Sequence, residues 1–214
     1  MGTIKYRKDF LEHFKDRDYF STKDTELFLT QKGASKAYAR LILHKLEKKG
    51  EIKRLKRGYY SFSANLDTIG FIFEPFYYGL QEALSLHGLW NQQTNPVVIT
   101  TRKVRTGLRS ILGRNIIVRR IKRKMFFGYE AKRVGNNFVP VSDLEKTLID
   151  FIYFKIAIPE EVLEEIKRRI DRKRLQEYFD RIDKNLRIRV NNILNNRDVK
   201  DGRRERKSSR KDQK

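Results

Sequence analysis

The side chains best able to do chemistry in this chain are cations, and they fall in two runs. The first holds Ser35, Lys36, Tyr38, Arg40, His44 and Lys45, then Lys53, Arg54, Lys56 and Arg57. Ammonium and guanidinium groups neutralise phosphates and release condensed counterions, and a guanidinium also fits the paired acceptors on a guanine edge. The second run is Arg102, Lys103, Arg105, Arg109, Arg114, Arg119, Arg120, Lys122, Arg123 and Lys124, inside a stretch with no acid between Glu82 and Glu130. A plain solvated surface mixes signs, so a run of one sign predicts a positive face or groove suited to a polyanion.

Other chemistries lack their residues. There is no GxxxxGK[ST] phosphate cradle and no GxSxG nucleophile elbow. His13, His44 and His87 are far apart and show no metal-ligand spacing, and the absence of Cys removes disulfides and thiolate-bound zinc. His87, just before Gly88, reads as a helix C-terminal residue, where the helix dipole favours a cation. A two-metal nuclease needs clustered carboxylates beside strands. Here Asp143, Glu145 and Asp150 fall on an expected helix and read as cap and surface residues. The chain is therefore expected to have no catalytic residue, metal or cofactor.

The first cationic run needs elements to hold it. Phe10, Leu11 and Phe14 predict a helix over about 4–15. Tyr19 to Thr22 is β-prone, and Ser21 or Thr22 caps a second helix through Leu27, Phe28 and Leu29. Gly33 takes a left-handed C-cap conformation in the turn that follows. Ser35 caps a third helix to about Lys49, burying Ala39, Leu43 and Leu46 with Ile42 beside them. Two short β-prone runs around Lys56-Arg57-Gly58 predict a hairpin. Helix, helix, turn, helix and basic hairpin is the layout of a winged helix-turn-helix. In that unit the third helix enters the major groove of DNA and the wing touches backbone or minor groove.

Beyond the polar link Ser63-Ala64-Asn65, Pro75 is expected to start a helix carrying Phe76, Leu80, Ala83 and Leu84, ended by Gly88. Val97 to Thr101, Ile116 to Val118 and Phe126-Phe127 read as strands. A tight hairpin is expected through Gly135-Asn136-Asn137. Ser142 and Glu145 fit a capping box for a helix with Leu144, Leu148, Ile149 and Ile152 inward. Helical spacing resumes after Pro159 with Val162, Leu163, Ile166 and Ile170, and continues to Leu194. The expected organisation is α+β: a winged helix-turn-helix over 1–64, a small α+β domain over 65–157, C-terminal helices over 158–197, and a disordered basic tail over 198–214.

Whole-chain totals agree with a polyanion partner. The 214 residues carry 49 Lys and Arg against 27 Asp and Glu, a formal charge of +22. Such an excess repels itself and attracts nucleic acid or an anionic surface. No apolar run approaches the roughly 20 residues of a membrane span. The start Met1-Gly2-Thr3-Ile4-Lys5 has no signal-peptide apolar core, so a cytoplasmic location is expected.

Several blocks stand in order along the chain: Arg57-Gly58-Tyr59-Tyr60 closing the first segment, Tyr78 to Leu89, Val98-Ile99-Thr100-Thr101, Phe126-Phe127-Gly128-Tyr129-Glu130, and Val139 to Asp150. Together they resemble the AbiEi antitoxins, the transcriptional-regulator partners in abortive-infection AbiE systems. The similarity runs over about residues 5–195. It implies a DNA-binding winged helix, repression of the chain's own operon through inverted repeats, and type IV antagonism of a nucleotidyltransferase toxin without a stable complex. It also implies a C-terminal part that supplies antitoxicity and a second positive surface, matching the stretch from Arg102 to Lys124. The basic tail after Arg197 departs from the family and leaves a solo regulator open. Two other readings remain: an RNA-binding or ribosome-associated basic protein, and a nucleic-acid-processing enzyme. Whether the chain binds as a monomer or a dimer is also open.

Overall fold

The computed structural model describes residues 4–62, 69–134 and 137–195. The tail expected to be disordered, and the Gly135-Asn136 part of the expected hairpin turn, lie outside the described residues. The protein is mixed α and β. The N-terminal part runs α1 (Arg7–Phe14), β1 (Phe20–Ser21), α2 (Thr22–Gln31), α3 (Lys36–Lys48), β2 (Lys53–Lys56) and β3 (Tyr59–Ser61), with the strands ordered β1-β3-β2.

Local chemistry explains these boundaries. The Ser21 side chain accepts from Asp24 N while the Asp24 carboxylate accepts from Ser21 N, a reciprocal cap that opens α2. Gly33, at φ +80°, ends that helix where a Cβ would be strained. The Ser35 side chain then accepts from Tyr38 N and opens α3. Each such cap is worth about 1 kcal/mol. Ala39, Ile42, Leu43 and Leu46 bury the inner stripe of α3 against Phe10, Phe14, Phe20, Phe28 and Leu29.

The rest is one six-stranded sheet with helices. A short 3-10 helix (Ile69–Phe73) leads into β4 (Phe76–Tyr78) and α4 (Gln81–Leu86). Then come β5 (Val97–Thr100), β6 (Gly107–Ile111), β7 (Arg114–Arg120), β8 (Tyr129–Val134) and β9 (Asn137–Ser142). The order is β6-β7-β5-β4-β9-β8. The β5–β7 and β4–β9 pairs are parallel, and the other neighbours are antiparallel. Alternation splits the sheet into two cores. Tyr77, Val97 and Ile99 face a cluster that includes Leu148, Phe151, Ile166, Leu175 and Val190. Phe76, Tyr78, Val98, Ile116 and Val118 face the other, with Ile72 and Phe73.

Four expectations change. Pro75 does not start a helix: Phe76-Tyr77-Tyr78 is a central strand buried on both faces, because aromatic side chains fill two cores at once there. Phe126-Phe127 is not a strand. Phe127 plugs the helical core, and Gly128, at φ +68°, turns the chain into β8. The unforeseen β6 is an edge strand with little burial and so little periodic signal. Helix α5 (Leu144–Tyr153) is capped by Asp143, whose side chain accepts from Lys146 N. Glu145 instead accepts from Asp171 N at 2.6 Å, tying in the next helices. Those are α6 (Glu160–Arg169), α7 (Arg172–Phe179) and α8 (Lys184–Leu194), which share the core of α5 and the sheet. Among the described residues, no helix is long and apolar enough to cross a membrane.

Candidate nucleic-acid interface

The cations of the first run belong to two elements, α3 and the β2–β3 hairpin. The fold brings part of them into one groove of about 480 Å³, lined among others by Arg40, His44, Glu47, Arg54 and Arg57. No ion pair is found for Lys36, Lys45, Lys53, Arg54 or Arg57 among the described residues, and all five are exposed. Arg40 is 76% exposed but its Nε lies 3.5 Å from a Glu26 carboxylate oxygen. Glu26 and Glu47 temper the positive potential, while the hairpin side of the groove, Arg54, Arg57, Gly58 and Tyr60, carries no acid.

Other expected contacts are committed within the protein. Ser35 is the N-cap of α3. The Tyr38 hydroxyl donates to Lys5 O at 2.7 Å, and its ring meets Tyr6 edge-on at 6.0 Å. Tyr38 therefore pins the N-terminal segment to α3.

Lys56 turns away from the groove. Register in the hairpin shifts between Arg54 and Lys56, a bulge that breaks strict alternation. As a result Leu55 packs on the large sheet's core, and Lys56 lies over the Tyr59 and Phe73 rings at 4.4 and 5.0 Å. Its ammonium donates to Ile72 O. Burial, with Arg102 and Arg109 nearby, pulls the Lys56 ammonium down to about 8. It remains a cation at neutral pH, held in a seam between the N-terminal part and the sheet. Tyr19 stacked on Phe71 at 6.0 Å extends that seam.

The second run does not form one face. Arg109 pairs in register with Ile116, and its guanidinium lies over Phe73, on the seam side of the sheet. Arg102 reaches Ile72 O at 3.4 Å on the same side. Arg119 pairs with Ile99, on the opposite face, and stacks over Phe154 at 5.2 Å. Lys103, Arg105, Arg114, Arg120, Lys122, Arg123 and Lys124 are exposed. Strand alternation sends neighbouring cations to different faces, which a charge count along the chain does not register.

The carboxylates are committed as well. Asp150 and Lys146 are fully buried and ion-paired, and the Tyr77 hydroxyl donates to Asp150 at 2.8 Å. Asp150 is thus a core residue, not the expected surface residue. Burial raises its pKa against the pull of Lys146, and burial lowers that of Lys146 against the pull of Asp150. Asp143 accepts from the Tyr178 hydroxyl at 2.6 Å, and Arg174 approaches both Asp143 and Glu145 at 4.0 and 3.7 Å. Gly128 permits this packing: a Cβ there would lie 2.8 Å from Lys146 Cβ. His87 is the C-cap of α4, as its position suggested, but it is not favoured as a cation. Burial lowers its pKa, with Lys132 adding to the effect. Its Nε2 meets Ser142 O at 2.8 Å, and since a carbonyl only accepts, Nε2 carries the proton. Nδ1 then accepts from Lys132 Nζ at 3.3 Å. No known protein-family model matches the chain, and no curated protein matches it.

Proposed function

We propose that the N-terminal part is a winged helix-turn-helix that binds double-stranded DNA, and that the chain is a non-enzymatic transcriptional regulator. The carrying observation is the groove in which Arg54 and Arg57 of the hairpin face Arg40 and His44 of α3. Exposed Arg54 and Arg57, which have no ion pair among the described residues, stand across the groove from the 76% exposed Arg40, and this spacing of guanidinium groups from two elements suits the phosphates of a duplex. The exposed Lys103 and Arg105 follow Arg102, which reaches Ile72 O at the seam, and offer further cations to phosphate. The commitment of Asp143, Glu145 and Asp150 to packing supports reading them as structural.

The resemblance to AbiEi antitoxins adds a context. In this reading the chain represses its own operon through inverted repeats and counteracts a nucleotidyltransferase toxin. A nucleotidyltransferase reading frame beside its gene supports the antitoxin role, and rescue of growth on co-expression tests it. DNA binding is tested by fluorescence anisotropy of the full chain, comparing random-sequence duplexes with structured RNA at one moderate salt concentration and repeating the duplex titration across a salt series. With about six phosphate contacts, log affinity for duplex falls against log salt with a slope near −5. A flat salt response, or a tenfold preference for RNA, overturns the DNA reading.

A further inference from the structure

Resting on the duplex-binding reading, we infer that Ala37 and Leu41 of α3 read thymine, by apolar contact with its C5 methyl group. At 100° per residue, the positions farthest from the buried stripe of Ala39, Ile42, Leu43 and Leu46 are Ala37, Leu41, His44 and Lys48. These point at the groove floor when the helix lies in a major groove. Ser35 caps the helix and Tyr38 bonds Lys5, while Lys36 and Arg40 lie to one side of this outward face, Arg40 at 3.5 Å from a Glu26 oxygen. The central positions of the first two turns are therefore aliphatic. Ala37 is exposed, and Leu41 is 43% exposed on a helix whose other outward residues are mostly cationic.

An aliphatic group offers base edges neither a donor nor an acceptor. Against cytosine N4 or guanine O6 it strips water and returns no hydrogen bond. The thymine methyl is the one apolar feature in the major groove, and it buries against aliphatic carbon at a gain. The cations flanking Ala37 and Leu41 then hold the helix to phosphates, which fixes its register without reading sequence.

The test uses duplexes selected by the full chain from a random-sequence library. Each thymine in a selected site is replaced in turn by uracil, which removes only the C5 methyl. The expected result is a loss of about four-fold in affinity at one or two positions, the value of one buried methyl. Leu41→Ala abolishes the penalty at its own position, and Leu41→Met keeps it. Unchanged thermal midpoints establish that both variants fold. Indifference to uracil at every position, or a set of penalties that Leu41→Ala leaves unchanged at every position, overturns the inference. Duplex binding without any enriched sequence also overturns it while leaving duplex binding intact. Absence of duplex binding overturns both readings.

Discussion

A buried ion pair and a half-buried histidine have consequences that single substitutions expose. Asp150 and Lys146 compensate each other in a core that includes Tyr77 and Phe127. Removing one partner strands the other, so Asp150→Ala is expected to cost about 3–5 kcal/mol in urea unfolding. Lys146→Met combined with Asp150→Leu and Tyr77→Phe recovers most of that loss, because the apolar set carries no desolvation penalty and leaves no Tyr77 hydroxyl without its acceptor. His87 gives a pH signature. Its folded pKa lies below its unfolded value, so above that value it is neutral in both states and contributes nothing. As pH falls through about 6.5, the unfolded state takes up the proton first and stability drops. Unfolding at pH 7 and pH 5 should show this extra loss in the wild type and not in His87→Gln. The buried carboxylates act with the opposite sign, since raised pKa values favour the folded state as pH falls.

At the scale of elements, the hairpin divides its cations between two tasks. Lys53, Arg54 and Arg57 are exposed, while the bulge sends Lys56 into the seam. Arg54→Ala and Arg57→Ala should each lower the salt slope of duplex binding by about one, with little effect on folding. Lys56→Ala should leave that slope unchanged and lower the unfolding midpoint, because it removes ring contacts and a bond to Ile72 O. If Lys56→Ala instead lowers the slope as Arg57→Ala does, the seam opens when DNA binds. The helices are legible for plain reasons. Ser35, Gly33 and the apolar stripe of α3 act within a few residues of one another, so sequence specifies them.

At the scale of the molecule, the seam sets what the two basic runs can do together. Lys56 and Arg102 both donate to Ile72 O, and Lys56 and Arg109 both lie over Phe73, so the segment that continues to Lys103 and Arg105 leaves from the seam. Charge reversal at Lys103 and Arg105 should shorten the protected footprint on DNA and weaken binding to all sequences alike. Reversal at Arg119 should chiefly lower stability, because that guanidinium stacks on Phe154 at the helical face. Footprinting and thermal unfolding of the two variants separate these outcomes. A shortened footprint from Arg119 reversal in a stably folded protein would count against this division.

The amino-acid sequence by itself determined the charge, the N-terminal helices with their caps, the basic hairpin and the helical periodicity after Asp143. These features depend on composition and on neighbours a few residues apart. Tertiary structure alone decided that Phe76 to Tyr78 is a central strand, that Asp150 is buried, and that Lys56, Arg102 and Arg109 line a seam. It also decided that the run from Arg102 to Lys124 divides between two faces. Each of those outcomes rests on contacts between distant segments, where strand alternation, one bulge and shared cores override what local patterns favour.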